Sequence, residues 1–190
     1  MADLLALSRH IIDTGVVDSG TGPTNRLSNE LSEIADDLAV VESFSHCVAW
    51  KTSEGLACFD ASGVITGPLV VEALNKWTST PVSHLIYTHG HADHIGGSPA
   101  FAAAAAAKGV PNPRVIGHEN IAPRVQRYRD TDGWNRFINA KQFGGIRVEH
   151  QYSLGGNKKH FIPPDVLEVQ ESFREQYVLN IGDHSVELNH

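Results

Sequence analysis

An α/β domain is the fold class that the sequence predicts, because extended apolar segments alternate with helical ones along the chain. Three extended segments come first, at residues 39–41, 47–50 and 56–59. A helical pattern follows at residues 68–77, and a short buried-strand pattern comes next at residues 85–87. A second helix and another strand continue the alternation, which is typical of this class.

Length and composition fit one domain of ordinary size. The chain has 190 residues, 41% of them hydrophobic and 19% charged. At this length about 70% of the surface of the unfolded chain is buried on folding. The composition excludes a disordered or collagen-like chain. We divide the sequence into an amino-terminal extension, residues 1–36, and one domain, residues 37–190.

Charge and hydropathy limit the partners that we expect. The 22 acidic residues outnumber the 15 basic ones, so the formal net charge is −7, and such a chain is a poor general ligand for nucleic acid. No apolar run approaches the roughly 20 residues that span a bilayer, and the amino terminus lacks the pattern of a secretory signal. We therefore expect a cytoplasmic protein with no nucleic-acid or membrane partner. Cys47 and Cys58 are expected to be free, buried thiols.

Local signals set the ends of the predicted helices. Pro68 suits the first turn of a helix, and the Thr80-Pro81 pair ends it. Ser98 is expected to cap the next helix, which is rich in alanine and which Gly109 closes. These residues therefore predict where both helices begin and end.

The rest of the chain is predicted as loops, one helix and a hairpin. Glycine and proline indicate loops at residues 20–23 and 152–164. Residues 115–116 form a short strand pattern, and residues 121–128 continue in a helical one. Residues 177–188 are predicted as a closing hairpin.

The segment after residues 85–87 carries the chemistry of the sequence. It places His89, His91, Asp93 and His94 in one loop. His89 and His91, two residues apart, point the same way in extended backbone and can bind one metal ion. Asp93 and His94 lie where the chain turns into the next helix, so they can serve a second ion. Imidazole and carboxylate ligands suit zinc, with iron or manganese as alternatives.

This motif, followed by Gly96 and Gly97, resembles the signature of the metallo-β-lactamase superfamily. The resemblance is specific over residues 38 to about 118, and within the superfamily the motif and residues 182–188 look most like the alkyl-sulfatase-like branch. It implies an αββα sandwich, of which this chain holds the amino-terminal part, and a hydrolase with one or two metal ions. Asp60 matches the acidic residue that ends the family's amino-terminal hairpin, although the family has Asp-x-Gly where this sequence has Asp-Ala-Ser-Gly.

The resemblance also implies a role for each residue of the motif. His89 and His91 would hold the first metal ion, and Asp93 and His94 would hold the second. The nucleophile would be a metal-bound water, whose pKa falls to about 7, far below that of bulk water. Asp93 would also orient the resulting hydroxide, which makes it the catalytic candidate.

Further ligands of the family come from three later positions, the first of them in a turn after a strand. In this sequence the predicted strand at residues 186–188 is followed by Asn189 and His190, where the sequence ends. We therefore expect the amino-terminal portion of a longer enzyme or a truncated product. Such a portion would expose one face of its sheet, so dimerisation or poor solubility is expected.

The histidines outside the motif are given lesser roles. His118 is expected in the wall of the site rather than on a metal ion. Asp183 and His184 are expected in a turn, and His190 is expected to fray. The others are expected to be surface or core residues: His10, His46, His84, His150 and His160.

A basic group on the predicted helix at residues 121–128 raises the question of an anionic substrate. Arg124, Arg127 and Arg129, with residues 158–160, could meet an anion such as a sulfate ester. We favour a solvated helix face whose charge Asp130 and Asp132 balance.

The sequence leaves two functions open. The first is a metal-dependent hydrolase that cleaves an ester-type bond of a small molecule, with sulfate, carboxylate and phosphate esters as candidates. The second is a catalytically incomplete metal-binding fragment, whose remaining ligands lie in a missing segment or a partner chain. Processing of RNA is disfavoured by the acidic balance, and a β-lactam substrate stays open.

Overall fold

A computed structural model describes residues 3–16, 27–142 and 160–190 of the chain. The helices within these residues are α1 (Leu4–Thr14), α2 (Gly67–Trp77), α3 (Ala92–Ile95), α4 (Ser98–Lys108), α5 (Ile121–Asp130) and α6 (Asp132–Gln142). The strands are β1 (Leu31–Ala35), β2 (Leu38–Val41), β3 (Cys47–Thr52), β4 (Gly55–Phe59), β5 (Val82–Tyr87), β6 (Arg114–His118), β7 (Glu171–Phe173), β8 (Gln176–Ile181) and β9 (His184–Asn189). The predicted loop at residues 20–23 and residues 152–159 of the second predicted loop lie outside the described residues.

Seven strands form one mixed sheet in which spatial order follows sequence order, from β1 to β7. Neighbours from β1 to β4 run antiparallel because short turns join them, as with the Ala49 and Cys58 pair of β3 and β4. Neighbours from β4 to β7 run parallel. The longer segments between β4, β5 and β6 contain helices, as parallel pairing requires. The carboxyl ends of these strands therefore lie at one edge of the sheet.

Helices cover one face of this sheet and a hairpin covers part of the other. On the first face, Val70 of α2, Phe101 of α4 and Val125 of α5 share a buried cluster with sheet residues such as Leu85. On the second face, Leu179 and Ile181 of β8 pack against Ala57, Ile86 and Ile116. The strands β8 and β9 form a separate two-stranded sheet. The α/β prediction and the closing hairpin are confirmed.

The structure adds five elements that the sequence patterns did not indicate, namely α1, α3, α6, β1 and β7. The short edge strands β1 and β7 flank the main sheet, and α6 follows α5 after a single residue, Thr131. Edge strands of three to five residues give little periodicity, so pairing with a longer neighbour decides their conformation. The boundary between residues 36 and 37 stays a prediction, although β1, which precedes it, pairs with β2.

The two cysteines are free and buried, as predicted. A hydrogen bond between the Cys47 and Cys58 side chains, together with burial, raises the pKa of the Cys47 thiol well above its ordinary value. Cys47 is therefore held in its neutral form as part of the core. No helix in the described part of the chain is long and apolar enough to cross a membrane.

Gly97 allows the loop after β4 to approach the start of α4. Its backbone N–H donates to the carbonyl oxygen of Ser62 at 2.9 Å. A β-carbon on Gly97 would overlap the carbonyl oxygen of Ala61 and would lie 2.8 Å from Cα of Gly67. These neighbours are backbone atoms, so they cannot move aside as a flexible side chain would.

We expect Gly97→Ala to lower the free energy of unfolding by about 1–3 kcal/mol, because the added methyl group overpacks this contact. Denaturant unfolding of the two proteins measures the difference. Gly133→Ala is the matched control, since a β-carbon there has no neighbour within 4 Å and alanine is the better helix former. A Gly97→Ala protein as stable as wild type would contradict this close approach of the loop.

His84 is a buried histidine in the middle of the sheet. It is 6% exposed, and it pairs across β5 and β6 with Arg114. Burial, and then the charge of Arg114, lower the pKa of His84 below its ordinary value. The folded chain therefore holds this imidazole neutral near neutral pH.

The low pKa of His84 makes stability depend on pH. Below about pH 6.5 the unfolded chain binds this proton more readily than the folded chain does. Above that pH, His84 is neutral in both states and does not lower the free energy of unfolding. As the pH falls from there toward the lower pKa of the folded state, protonation of the unfolded chain lowers the free energy of unfolding. We expect the free energy of unfolding of wild type to fall more than that of His84→Gln when the pH is lowered from about 7.5 to about 5.5. An equal fall in the two proteins, measured by denaturant unfolding, would show that this histidine does not contribute.

Candidate metal centre

The predicted motif lies at the carboxyl end of β5, at the edge where the parallel strands end. Residues 88–91 leave the strand, His91 has extended backbone with φ −81° and ψ 147°, and α3 begins at the next residue. The backbone N–H of Ala61, in the loop after β4, donates to the carbonyl oxygen of His94 at 2.7 Å. This contact joins the loops after β4 and β5, so side chains from both meet at the site.

His89 and His91 point the same way, as their spacing predicted. Nε2 of His89 and Nδ1 of His91 are 2.8 Å apart, and the rings meet edge to face with centroids 4.5 Å apart. The His94 ring also contacts His89, with a centroid distance of 4.0 Å. The three imidazoles of the motif therefore form one cluster, and the rings of His89 and His91 are open to solvent.

Asp93 and His94 form the second half of the cluster. Oδ2 of Asp93 lies 3.5 Å from Nε2 of His94. The hydroxyl of Ser45, from the loop between β2 and β3, donates to Oδ2 of Asp93 at 2.8 Å and lies 3.2 Å from Nε2 of His94. Ser45 thereby holds the carboxylate and the imidazole in one small volume.

Asp60, just after β4, is the buried anion beneath this cluster. It is 5% exposed and has a φ of +62°, a conformation that aspartate tolerates better than most residues. Its Oδ1 accepts the backbone N–H of Thr88 at 2.8 Å. Its Oδ2 accepts the Thr88 hydroxyl at 2.7 Å and faces Nδ1 of His94 at 2.7 Å.

These contacts set the tautomers of two imidazoles. Because Oδ2 of Asp60 can only accept, Nδ1 of His94 carries a proton, which leaves Nε2, the nitrogen that faces Asp93, as the one that can serve as a metal ligand. The Thr88 hydroxyl gives its proton to Asp60, so it can accept one from Nδ1 of His89, which lies 3.0 Å away. His89 then also presents the lone pair of Nε2. Asp60 orients one imidazole directly and the other through Thr88.

The surroundings also tune the charge of the imidazoles. Burial, followed by the charges of His94 and His91, lowers the pKa of His89. Burial and the charge of Arg124 lower the pKa of His91. Burial also opposes protonation of His94, but the hydrogen bond and charge of Asp60 outweigh it and raise the pKa of that imidazole. His89 and His91 are therefore favoured in the neutral form that metal ions require.

The donor atoms fit a divalent ion in type and spacing, as two pairs. Two nitrogen ligands of a tetrahedral zinc ion, each at about 2.0–2.1 Å, lie about 3.3 Å apart, and the facing nitrogens of His89 and His91 are 2.8 Å apart. Within residues 3–16, 27–142 and 160–190, no three His, Cys, Asp or Glu side chains are arranged to hold one ion. His89 with His91 forms one pair of donors, and Asp93 with His94 forms the other.

His118 supplies no ligand in this structure. Its Nδ1 accepts the backbone N–H of Asn120 at 3.1 Å, and its Nε2 donates to the carbonyl oxygen of Arg174 at 2.8 Å. Its ring stacks on that of His190 at 3.8 Å. The backbone N–H of His190 donates to Glu175, so the expectation that His190 frays is wrong.

The other histidines lie apart from the motif. His184 begins β9 and meets Trp50 at 4.6 Å, and Nδ1 of His46 lies near the backbone of Ser43. His10 is exposed on α1, and His160 lies beside Asp132. His150 falls outside the described residues.

Sequence reasoning missed Ser45 and Thr88. Ser45 lies 48 positions before Asp93, and its loop has no pattern that indicates a site. Thr88 directly precedes His89, so its position was visible, but its role depends on Asp60, 28 positions earlier. Only folding makes these pairs neighbours.

Comparison with known proteins gives a family for this arrangement. The sequence model of the metallo-beta-lactamase superfamily matches residues 36–178. That match covers well over half of the chain, and the chain therefore belongs to the metallo-beta-lactamase superfamily. No curated protein sequence matches the chain at a significant level.

Solved structures of metallo-beta-lactamases share the fold. The enzyme with a HARLDQ motif from Cronobacter sakazakii is 14% identical with a TM-score of 0.56, and the match covers 82% of this chain and 50% of that one. BJP-1, a subclass B3 enzyme of Bradyrhizobium japonicum, is 16% identical with a TM-score of 0.54, at 82% and 49% coverage. GOB-18 from Elizabethkingia meningoseptica is 13% identical with a TM-score of 0.57, at 90% and 56% coverage. The chain spans about half the length of these structures, and at such identities the likeness shows the fold alone.

We expect Asp60→Asn to weaken zinc binding about 10- to 100-fold, because the amide cannot replace the charge that orients the imidazoles. Asparagine tolerates the positive φ of this position, so the backbone is expected to persist. Competition with a chromophoric chelator measures the affinity. Asp183→Asn, which removes an exposed carboxylate from the turn before β9, is the matched control. Equal zinc affinity in all three proteins would exclude Asp60 as a positioning residue.

Proposed function

We propose that this chain carries the metal-binding core of a metal-dependent hydrolase that cleaves an ester-type bond of a small molecule. The observation that carries the proposal is the cluster of His89, His91, Asp93 and His94 at the carboxyl end of β5. Asp60 orients the His94 imidazole directly and the His89 imidazole through Thr88. Membership of the metallo-beta-lactamase superfamily supports it. Sulfate, carboxylate and phosphate esters are the candidate substrates.

Zinc is the ion that we propose, in one or two copies, with His89 and His91 as one pair of ligands and Asp93 and His94 as the other. When bound, a divalent ion supplies Lewis acidity and lowers the pKa of a coordinated water. Asp93 is the proposed catalytic residue. Its half-buried carboxylate is held by the Ser45 hydroxyl, so its remaining lone pairs can accept a hydrogen bond from the attacking water and orient it toward the ester.

His94, Asp60 and Thr88 hold the proposed ligands in fixed orientations. The hydrogen bond to Asp60 fixes the imidazole while its Nε2 faces Asp93. Thr88 links the same carboxylate to His89. Because these contacts hold the donors before substrate arrives, little reorganisation is left for the reaction itself. A cytoplasmic location, the absence of nucleic-acid and membrane partners, and dimerisation remain predictions from the sequence.

A catalytically incomplete metal-binding fragment is the alternative proposal. It is favoured by the arrangement of the donors in the described residues as pairs, without a third ligand on one ion. In that case the further ligands come from another segment or another chain. Metal stoichiometry of the purified chain, beside a His89→Ala control, separates the two proposals, because two tightly held ions are expected only from a site that the chain completes itself.

We expect the zinc-loaded chain to hydrolyse at least one of three 4-nitrophenyl esters, namely the sulfate, the phosphate and the acetate. His89→Ala and Asp93→Ala should each lower the rate about 10²- to 10⁴-fold, since each removes a group that acts on the reacting atoms. A chelator should abolish the activity, and added zinc should restore it. His10→Ala, on an exposed face of α1, is the control. Unchanged hydrolysis by either site variant would reject the hydrolase, and tight zinc binding without hydrolysis would favour the fragment.

A further inference from the structure

A cavity of about 400 Å³ opens beside the candidate metal centre. His91 and Asp93 line it together with Arg124 and Arg127 of α5. Phe44 and Ile138 add apolar surface. A molecule that reaches the metal ligands through this cavity therefore passes two guanidinium groups.

Arg124 is held in place along its length. The chain packs so closely that a β-carbon on Gly90, between His89 and His91, would lie 3.2 Å from Cβ and Cγ of Arg124. Nε of Arg124 donates to the Tyr128 hydroxyl at 3.1 Å, and its guanidinium carbon lies 5.2 Å from the centre of that ring. The stem of this arginine is thus fixed against the motif loop, and its charged end is drawn one helical turn away from the loop.

Arg127 lies by the same aromatic ring. Its guanidinium carbon is 5.5 Å from the centre of the Tyr128 ring, and its side chain is exposed. Tyr128 is 5% exposed and packs on Phe161 with a centroid distance of 5.0 Å. One buried ring therefore positions both guanidinium groups, which limits the rotamer freedom that an anion would have to restrict.

Neither of these two charges is paired with a carboxylate within 4.0 Å in the part of the chain that the structure describes. The neighbouring arginines differ: Arg129 pairs with Glu168 at 3.1 Å, and Arg136 pairs with Asp132 at 3.3 Å. Asp130 accepts a hydrogen bond from Gln126 instead. The expectation that Asp130 and Asp132 balance the charge of this helix face is therefore wrong for Arg124 and Arg127.

We propose that Arg124 and Arg127 form a subsite for an oxyanion that the substrate carries away from its scissile bond. The assignment of the anion to a substrate rests on the proposed hydrolase function. The anion site itself rests on the cavity and the two guanidinium groups. Arginine binds carboxylate, sulfate and phosphate groups through paired N–H donors. With that anion held by the arginines, the remainder of the molecule extends through the cavity toward His91 and Asp93. The substrate class is an ester that bears a second, acidic group.

The first test measures anion binding without metal or turnover. The chelator-treated chain is titrated with succinate, inorganic sulfate and inorganic phosphate at constant ionic strength, by calorimetry. We expect at least one of the three to bind, and the tightest identifies the oxyanion. Arg124→Gln and Arg127→Gln should each weaken that binding about tenfold or more, as expected for the loss of a charged hydrogen-bond donor.

Arg129→Gln is the matched control, because it removes the same charge from the same helix but its partner is Glu168. We expect this variant to bind like wild type. Circular dichroism checks the fold of every variant. Arg127 is exposed, so its substitution tests the subsite without disturbing the packing of the Arg124 stem on the motif loop. Absence of binding to wild type, or an equal loss in Arg129→Gln, would overturn the subsite.

The second test concerns the substrate and uses two esters of similar size. We expect KM for 4-nitrophenyl hemisuccinate to lie about tenfold or more below KM for 4-nitrophenyl butyrate, and we expect Arg127→Gln to remove this difference in KM. An equal KM for the two esters in wild type would overturn the role in substrate selection. Anion binding that persists in a chain without hydrolytic activity would reject the proposed function but leave the subsite standing.

Discussion

Burying a carboxylate at the carboxyl edge of a sheet costs free energy unless hydrogen bonds satisfy its oxygens. The candidate centre is organised around one such group. Asp60 accepts the backbone N–H and the hydroxyl of Thr88 and faces Nδ1 of His94. Each contact satisfies the buried anion and also fixes a part of the motif. The stability of the strand edge and the orientation of the imidazoles therefore have a common origin, and a change at Asp60 affects both.

The parallel order of β4, β5 and β6 places this anion under the motif. Parallel strands end at the same edge, so the loop after β4 lies beside the loop after β5. The hydrogen bond from Ala61 to His94 closes the gap between the two loops, and Gly97 leaves room for it. On one face helices pack on the sheet, and on the other the hairpin of β8 and β9 does. The strand ends stay free for chemistry because both coverings lie on the faces.

Much of the fold was visible in the sequence because its main strands are apolar and because α2 and α4 each have a proline in the first turn. The prediction that Ser98 caps α4 was wrong, since Ser98 lies inside the helix and its hydroxyl accepts the backbone N–H of Leu167. The strands β2 to β6 and the helices α2 and α4 contain the segments that the patterns predicted. The strands β1 and β7 were missed because pairing at the sheet edges, rather than local composition, decides them. The prediction that Asp130 and Asp132 balance the arginines of α5 was also wrong for Arg124 and Arg127. Distance along the sequence does not tell which carboxylate an arginine side chain reaches. Asp132 pairs with Arg136, one turn farther along the next helix.

The sequence by itself determined the α/β class, the family signature and the four candidate ligands His89, His91, Asp93 and His94, because all of these depend on local spacing and composition. Tertiary structure alone decided how those donors are oriented. Ser45 and Asp60 come from other strand ends, and their contacts with Asp93 and His94 span 48 and 34 positions of the chain. Local spacing can align two neighbouring side chains, but a hydrogen bond between distant segments exists only when packing has placed those segments side by side.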